Sequence, residues 1–210
     1  QGEGPYIGEV QTFIRFCNCN LNCKYCDTNF RKDKKTVEYD ALDLAQFLLH
    51  NEILTVSLTG GEPLLETDFL TEFLPLIKKY KKIYLETNGT LTNELACVIE
   101  NVDVVSADIK LESATKQQNL FDINFEFMGI AKRKECFIKV VFDENIEKEE
   151  ISEVIKIAKA YELPIYLQPT MIKNTFCSDV KKLLEIHRIF YALYPKTFLI
   201  PQVHKFLKIM

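Results

Sequence analysis

The cysteines near the start of the chain are the residues best suited to chemistry. Four of the seven cysteines lie within Cys17–Cys26, and Cys19, Cys23 and Cys26 form a C-x3-C-x2-C pattern. Three thiolates on one short loop can converge on a single metal centre. A structural zinc ion takes four protein ligands, and an ordinary iron–sulfur cubane takes four cysteines. Three cysteines therefore indicate a cubane that leaves one iron open to another ligand.

Cys17 leaves other ligand sets open, because Cys17, Cys19 and Cys23, or all four thiols around zinc, are also close in sequence. Cys17 lies outside the C-x3-C-x2-C pattern, at the end of a stretch rich in strand-forming residues. We interpret it as a buried thiol, with an auxiliary redox role as the alternative. Three further cysteines stand singly in apolar surroundings and are interpreted as small buried hydrophobes: Cys97, Cys136 and Cys177.

Length and composition predict one domain covering residues 1–210. Hydrophobic residues make up 47% of the chain and charged residues 27%, which is typical of a soluble globular protein. No apolar run approaches the ~18 residues of a membrane span, and a net charge of -4 with scattered lysines does not favour nucleic acid as a partner. An odd, crowded cysteine set argues against a disulfide scaffold and favours a reduced, cytoplasmic, metal-binding protein.

Strand-like and helix-like segments alternate along the chain, which predicts a mostly parallel sheet with right-handed crossovers. The expected strands are 9–17, 54–60, 82–89, 103–110, 136–143 and 164–169, followed by a strand-like closing segment, 197–207. The expected helices are 41–51, 68–80, 92–101, 146–161 and 179–194, with Pro75 kinking or splitting the second, and residues 112–134 look less regular. Six or seven strands suggest an incomplete (β/α) barrel, because a full barrel usually needs ~250 residues. An open doubly wound sheet is the alternative.

Polar motifs follow these strands at their carboxyl ends. The second expected strand ends in TGGEP, the third in ETNG, the fourth in SADIK, the sixth in LQPT and the closing segment in PQVHK. Ligands gather at the carboxyl ends of parallel strands in both candidate architectures. The sequence therefore predicts one shared site that also includes the cysteine loop.

The cysteine loop and the TGGEP motif resemble those of the radical S-adenosylmethionine (SAM) superfamily. Tyr25 supplies the aromatic residue that such loops usually carry before the third cysteine. The resemblance implies that Cys19, Cys23 and Cys26 bind a [4Fe–4S] cluster whose open iron binds SAM. It also implies a set of SAM contacts at the strand ends: Tyr25, Thr59, Gly60, Gly61, Glu62, Thr87, Asn88, Ser106, Asp108, Gln168 and Pro169.

The residues on either side of the cysteine loop resemble those of one family within this superfamily. The stretch QGEGPYIGEVQTFIRFCNCNLNCKYCDT is similar to the start of the 7-carboxy-7-deazaguanine synthase family, and the likeness continues through TGGEPLL, ETNGT, SADIK and PQVHK, over nearly the entire chain. One departure is visible, because that family usually has glycine before the first cluster cysteine and this chain has Asn18. Asparagine tolerates a left-handed backbone better than other non-glycine residues, so we expect little strain there.

This resemblance implies a radical SAM lyase of 7-deazapurine (queuosine-type) biosynthesis. In that family 6-carboxy-5,6,7,8-tetrahydropterin becomes 7-carboxy-7-deazaguanine with loss of ammonia. The reduced cluster cleaves SAM to a radical that takes the hydrogen at C6 of the pterin, and the product radical takes a hydrogen back. The implied cofactors are a [4Fe–4S] cluster, SAM and Mg2+. The implied partners are the small pterin, an electron donor such as flavodoxin or ferredoxin, and a second copy of the chain in a homodimer.

The same resemblance assigns residues to the metal ion and the substrate. Thr28 is the expected Mg2+ ligand with Asp27 nearby, although both could simply cap a turn. The resemblance also implies five substrate contacts, at the ends of the chain and on the first strand: Gln1, Glu3, Gly4, Arg15 and His204. Arg15 could instead form a structural ion pair, and His204 could instead have a structural role.

Two other functions remain open from the sequence. A glycyl-radical activating enzyme shares the cluster loop and the glycine motif, but QGEG and CDT argue against it. A small iron–sulfur or zinc-binding module would use the cysteines without a SAM pocket, and it would leave GGEP and the polar strand ends without a role.

Overall fold

The computed structural model describes residues 3–26, 36–172 and 175–207. Seven strands form one parallel sheet, and two short strands, β7 and β8, pair antiparallel beside it. In chain order the strands are β1 (Gln11–Phe16), β2 (Thr55–Gly60), β3 (Lys82–Thr87), β4 (Val104–Asp108), β5 (Glu135–Phe142), β6 (Ile165–Pro169), β7 (Met171–Ile172), β8 (Thr175–Phe176) and β9 (Thr197–Leu199).

Helices connect the strands. They are α1 (Ala41–Leu49), α2 (Thr67–Ile77), α3 (Thr92–Val98), α4 (Glu112–Thr115), α5 (Phe121–Ala131), α6 (Lys148–Tyr161), α7 (Val180–Leu193) and α8 (Val203–Leu207). Local sequence explains several helix starts: Asp40 accepts a hydrogen bond from the Asp43 amide before α1, and Glu147 and Glu150 form a capping box at α6. No helix in the described ranges is both long and apolar enough to span a bilayer.

The order of strands in the sheet decides between the two predicted architectures. The strands lie side by side as β1-β2-β3-β4-β5-β6-β9, without the reversal that defines a doubly wound sheet. Successive right-handed crossovers in one direction place the helices on one side and curl the sheet. Because β1 and β9 are not paired within the described residues, the barrel is open, and the predicted incomplete (β/α) barrel is confirmed.

The two faces of the sheet have different chemistry because side chains alternate along each strand. Apolar residues of the outer face, such as Val56, Leu85 and Ile138, are buried in one core with residues of the helices. The inner face carries a small second cluster of Tyr84, Val104 and Phe137. Beyond this cluster, toward the carboxyl ends of the strands, the inner face is polar.

The structure corrects three details of the predicted elements. Residues 112–134 contain α4 and α5 rather than irregular chain, and α5 buries Phe127 and Met128. Helix α2 is not split at Pro75 but continues to Ile77; Pro75 lacks the amide that would donate to the Thr71 carbonyl, so one helical hydrogen bond is lost. The closing segment ends in helix α8 rather than in a strand, so His204 lies on a helix.

Candidate active site

The cysteine loop follows β1, and backbone hydrogen bonds fix its shape, one of them donated to a cluster thiol. The Leu21 amide donates to Cys19 Sγ at 3.5 Å, and the Cys26 amide donates to the Cys23 carbonyl at 3.1 Å. The Lys24 amide donates to the Thr115 carbonyl at 2.9 Å, which ties the loop to α4. Burial raises the pKa of the Cys19 and Cys23 thiols. Amide hydrogen bonds to sulfur are a feature of iron–sulfur sites, so this donor set suits a cluster.

The glycines of TGGEP lie directly against the cysteine loop. The Gly61 amide donates to the Phe16 carbonyl and the Glu62 amide to the Asn18 carbonyl, each at 2.9 Å. A Cβ atom on Gly61 would lie 1.5 Å from the Asn18 carbonyl oxygen, so only glycine permits this approach. Asn18 has a φ of 68°, which confirms that asparagine occupies the left-handed position where the resembled family has glycine. The motif therefore fixes the backbone immediately before Cys19.

The Glu62 carboxylate braces the ends of β2 and β3. It is fully buried and accepts hydrogen bonds from the Leu64 amide at 3.2 Å, the Thr87 hydroxyl at 2.9 Å and the Asn88 amide at 2.7 Å. Burial raises its pKa to about 7, although these three donors oppose the rise. The predicted SAM-contact residues Glu62, Thr87 and Asn88 are thus brought together by the structure.

The raised pKa of Glu62 predicts a pH-dependent stability. As pH rises above 4.5, the ordinary pKa of a glutamate carboxyl group, the unfolded chain loses this proton, whereas the folded chain keeps it until the pH reaches about 7. The free energy of unfolding should therefore fall with rising pH in this interval, by about 3 kcal/mol. Urea unfolding of the metal-free protein across the interval measures the slope, and Glu62→Gln should flatten it. A slope that is the same in both proteins would contradict the role of this carboxyl group.

The ETNG segment after β3 contacts the cysteine loop through two asparagines. Asn88 Nδ2 donates to Asn20 Oδ1 at 2.7 Å and lies 3.9 Å from Cys19 Sγ. Asn20 Nδ2 in turn donates to Thr90 Oγ1 at 2.9 Å. The loop is therefore attached to the ends of both β2 and β3, as the shared-site prediction requires.

A largely buried ion pair, between Lys110 and Asp108, lies at the carboxyl end of β4. Lys110 Nζ lies 2.8 Å from Asp108 Oδ2 and donates to the Tyr25 hydroxyl at 3.2 Å, with its Nζ 5.3 Å from the centre of the Tyr25 ring. Burial alone would lower the pKa of Lys110, but the charge of Asp108 raises it well above its ordinary value. Tyr25, between Cys23 and Cys26, is thereby linked to the predicted SAM contact Asp108.

A second, largely buried ion pair joins Lys139 of β5 to Glu3, at the point where the two ends of the chain meet. Lys139 Nζ lies 2.7 Å from Glu3 Oε2, and His204 Nδ1 lies 3.4 Å from Glu3 Oε1. Lys139 Nζ also lies 3.6 Å from Asp108 Oδ2. Burial alone would raise the pKa of Glu3, but the charge of Lys139 and the hydrogen bonds from His204 and Lys139 hold it well below its usual range. The two predicted substrate contacts, Glu3 and His204, thus meet.

Several buried polar atoms of the inner face lack a hydrogen-bond partner among the described residues. They include Asp108 Oδ1, Gln168 Nε2 and Glu86 Oε1. Glu86 Oε2 accepts a hydrogen bond from the Thr59 hydroxyl at 2.9 Å. Orphaned buried polar atoms are rare in folded proteins, and they are expected where a polar ligand binds. The inner face is therefore a candidate ligand site.

The remaining predicted residues occupy the same region or its border. Ser106 is fully buried, on the same face of β4 as Asp108, and Pro169 ends β6 beside the Gln168 position. Arg15 is exposed on β1, with its guanidinium 5.8 Å from the centre of the Phe13 ring. Gly4 has a φ of 59°, and a Cβ atom there would lie 2.5 Å from the Phe137 ring, so the segment before β1 packs closely on the inner aromatic cluster.

Gln1, Asp27 and Thr28 lie outside the described residues. Within the described ranges, no group of three or more His, Cys, Asp or Glu side chains is arranged to hold a single metal ion. The ligands of a cubane attach to separate corners and stand farther apart than the ligands of one ion. The assignment of Cys19, Cys23 and Cys26 as cluster ligands therefore rests on their spacing and on the loop contacts above.

Sequence reasoning missed three charged residues and one amide of this site: Glu86, Lys110, Lys139 and Asn20. Lys139 offered a signal, because it is the only polar residue of CFIKVVF in β5. Glu86 and Lys110 belong to the ETNG and SADIK motifs, but nothing in their spacing indicated which neighbours they contact. Asn20 lies inside the cysteine loop, where its partner Asn88 is distant in sequence.

Comparison with known proteins identifies the class of enzyme. The Radical SAM superfamily model matches residues 13–186. A crystal structure of Streptococcus suis SuiB bound to S-adenosylmethionine superimposes with a TM-score of 0.63 at 15% identity, over 91% of this chain and 50% of that one. This chain therefore spans about half of SuiB, and that likeness shows the fold. The fold, the cysteine loop and the family model define a radical SAM enzyme, whose cofactors are a [4Fe–4S] cluster and SAM.

Curated relatives then identify the family within this class. The 7-carboxy-7-deazaguanine synthase of Geobacter sulfurreducens is 34% identical over 99% of this chain and 93% of its own length. The enzyme of the same name from Archaeoglobus fulgidus is 33% identical over the same shares, 99% and 93%. The chain belongs to the 7-carboxy-7-deazaguanine synthase family, a group of radical SAM lyases of deazapurine biosynthesis.

Proposed function

We propose that this protein converts 6-carboxy-5,6,7,8-tetrahydropterin to 7-carboxy-7-deazaguanine with loss of ammonia. The observation that carries this proposal is the contact of Glu3 with His204 and Lys139, beside Asp108. Glu3 of QGEG and His204 of PQVHK come from opposite ends of the chain and meet at the inner face, where the orphaned polar atoms lie. A protein that only bound a cluster through its cysteine loop would not need this second contact between the two ends of the chain.

The residues of the chain divide the work of binding and orientation. Cys19, Cys23 and Cys26 hold the cluster, and the bound cluster and SAM supply the radical chemistry that starts the reaction. Asp108 Oδ1 is a buried acceptor for a donor group of SAM. The ionised Glu3 accepts hydrogen bonds from the N–H groups of the guanine-like edge of the pterin.

The inner aromatic cluster closes the site on the side away from the cysteines. Tyr84 and Phe137 are buried there, with Tyr6 and Tyr166 packed against them. This layer excludes water from below the substrate, and a radical reaction needs such exclusion because stray hydrogen donors would quench it.

Further parts of the proposal concern residues and partners beyond this site. Mg2+ bound by Thr28, with Asp27 nearby, would neutralise the substrate carboxylate, because Mg2+ takes few protein oxygens and completes its shell with water and substrate. Gln1 and Arg15 would contact the substrate as well. We also propose a single radical SAM domain over residues 1–210, a homodimer in the cytoplasm and an external reductant of the flavodoxin or ferredoxin type.

Anaerobic turnover tests this function. Reconstituted protein incubated with the carboxypterin, SAM, Mg2+ and dithionite should form 7-carboxy-7-deazaguanine and ammonia, with far less SAM consumed than product made. Omitting Mg2+ should slow the wild-type reaction, whereas Thr28→Ala should respond less to added Mg2+ and still bind SAM. Reductive SAM cleavage without any deazapurine product would overturn the proposed substrate.

A further inference from the structure

Lys139 occupies an unusual place for a charged residue. It lies in the middle of β5, in a strand whose other residues from Cys136 to Phe142 are apolar, and only 8% of its surface is exposed. Burying an ammonium group is costly unless it is paired and hydrogen-bonded. Lys139 meets that requirement through Glu3 Oε2 at 2.7 Å and Asp108 Oδ2 at 3.6 Å.

The two carboxylates that lie within ion-pair distance of Lys139 have different tasks in the proposed function, and Glu86 is a third carboxylate whose charge acts on Lys139. Glu3 is the substrate-side acceptor, and Asp108 is the SAM-side acceptor with Oδ1 unpartnered among the described residues. Asp108 has another close cation, Lys110, at 2.8 Å. Among the ion pairs of the described residues, Glu3 has only His204, at 3.4 Å, besides Lys139. Loss of Lys139 would therefore affect Glu3 much more than Asp108.

We propose that Lys139 is a positioning residue for substrate recognition, which holds Glu3 ionised and oriented so that it presents only hydrogen-bond acceptors to the pterin. This inference rests on the proposed function and deepens it, because it names the residue that sets the polarity of the recognition site. A carboxylate locked as an acceptor favours a ligand edge rich in N–H donors and disfavours one that presents carbonyl oxygens. In this role Lys139 acts through Glu3 and does not contact the substrate itself.

Stability alone explains this lysine poorly. A buried ion pair is often no more stabilising than an apolar pair of similar size, so a purely structural role could be filled by apolar residues. The pair instead fixes the protonation state of a site carboxyl group. Burial alone would raise the pKa of Glu3, and the charge of Lys139 is the largest of the effects that reverse this.

The test compares Lys139→Met with Lys82→Met as the matched control. Lys82 lies on the same inner face at the start of β3, and its Nζ donates to the Tyr6 hydroxyl at 3.0 Å rather than to the Glu3 carboxylate. Pterin and SAM binding are measured by calorimetry on anaerobic, cluster-loaded protein, and urea unfolding reports whether each variant is folded. Lys139→Met should weaken pterin binding about 10- to 100-fold and SAM binding less than about fivefold. Lys82→Met should leave both unchanged.

A pH series and a double variant separate positioning from a structural role. In Lys139→Met the buried Glu3 carboxyl group binds a proton more readily, so pterin affinity should rise with pH, whereas wild-type affinity should not. If Lys139 acts through Glu3, the double variant Glu3→Gln with Lys139→Met should bind the pterin no more weakly than Glu3→Gln alone. This comparison tests the positioning role even if the single variant Lys139→Met folds poorly.

The outcomes distinguish this inference from the function on which it rests. Wild-type protein that does not bind the carboxypterin would overturn both. Wild-type binding with unchanged pterin affinity in folded Lys139→Met, or additive losses in the double variant, would overturn the role of Lys139 alone.

Discussion

Replacing Gly61 with alanine should prevent cluster assembly while leaving the chain largely folded. The added Cβ would lie 1.5 Å from the Asn18 carbonyl oxygen and 2.4 Å from the Asn18 carbonyl carbon. These are backbone atoms, and the same carbonyl accepts the Glu62 amide hydrogen bond at 2.9 Å, so they cannot rotate away. The loop must move from Asn18 onward, and Cys19 moves with it.

We expect Gly61→Ala to lose bound iron because the loop moves, and to lower the free energy of unfolding by no more than about 3 kcal/mol, so that the chain stays folded. Iron and sulfide content after anaerobic reconstitution, together with urea unfolding, measure the two effects. Gly129→Ala is the control, because its Cβ would meet only the end of the Tyr161 side chain, with the nearest atom at 3.2 Å. Normal iron content and normal stability in Gly61→Ala would refute the close packing of the two motifs.

Cys23→Ala should abolish cluster assembly, whereas Cys17→Ala should leave iron and sulfide content near the wild-type level. Removing Cys23 leaves two thiolates of the C-x3-C-x2-C pattern, which is too few to hold a cubane with one open corner. Cys17 follows the last residue of β1, ahead of the left-handed turn at Asn18. It belongs to the backbone that leads into the loop rather than to the pattern itself.

Metal analysis and the absorption of the reduced and oxidised cluster measure this difference. Cys19→Ala and Cys26→Ala should behave like Cys23→Ala. Cys97→Ala serves as the control, because Cys97 is an exposed thiol on α3 rather than the buried hydrophobe that the sequence indicated. An equal loss of iron in Cys17→Ala and Cys23→Ala would show that the assigned ligand set is wrong. Bound zinc with no iron in the wild-type protein would contradict the cluster altogether.

Local sequence patterns were sufficient to predict most of the strands and helices. Alternation of strand-like and helix-like segments gave the parallel sheet, and the polar motifs at strand ends indicated which edge carries the site. The failures fall where a local pattern is ambiguous. The closing PQVHKFL is too short for its periodicity to distinguish strand from helix, and α5 was missed because its apolar residues are not confined to one side.

The sequence alone determined the chemistry available to this protein: three thiols at cluster spacing, glycines that admit close backbone approach, and polar residues at the carboxyl ends of strands. These follow from residue type and local spacing. Only the tertiary structure decided which charges face one another, including Lys139 with Glu3 and Asp108, and Lys110 with Tyr25. Such pairings depend on strand register and on how the chain ends pack, and residues far apart in sequence carry no local mark of them.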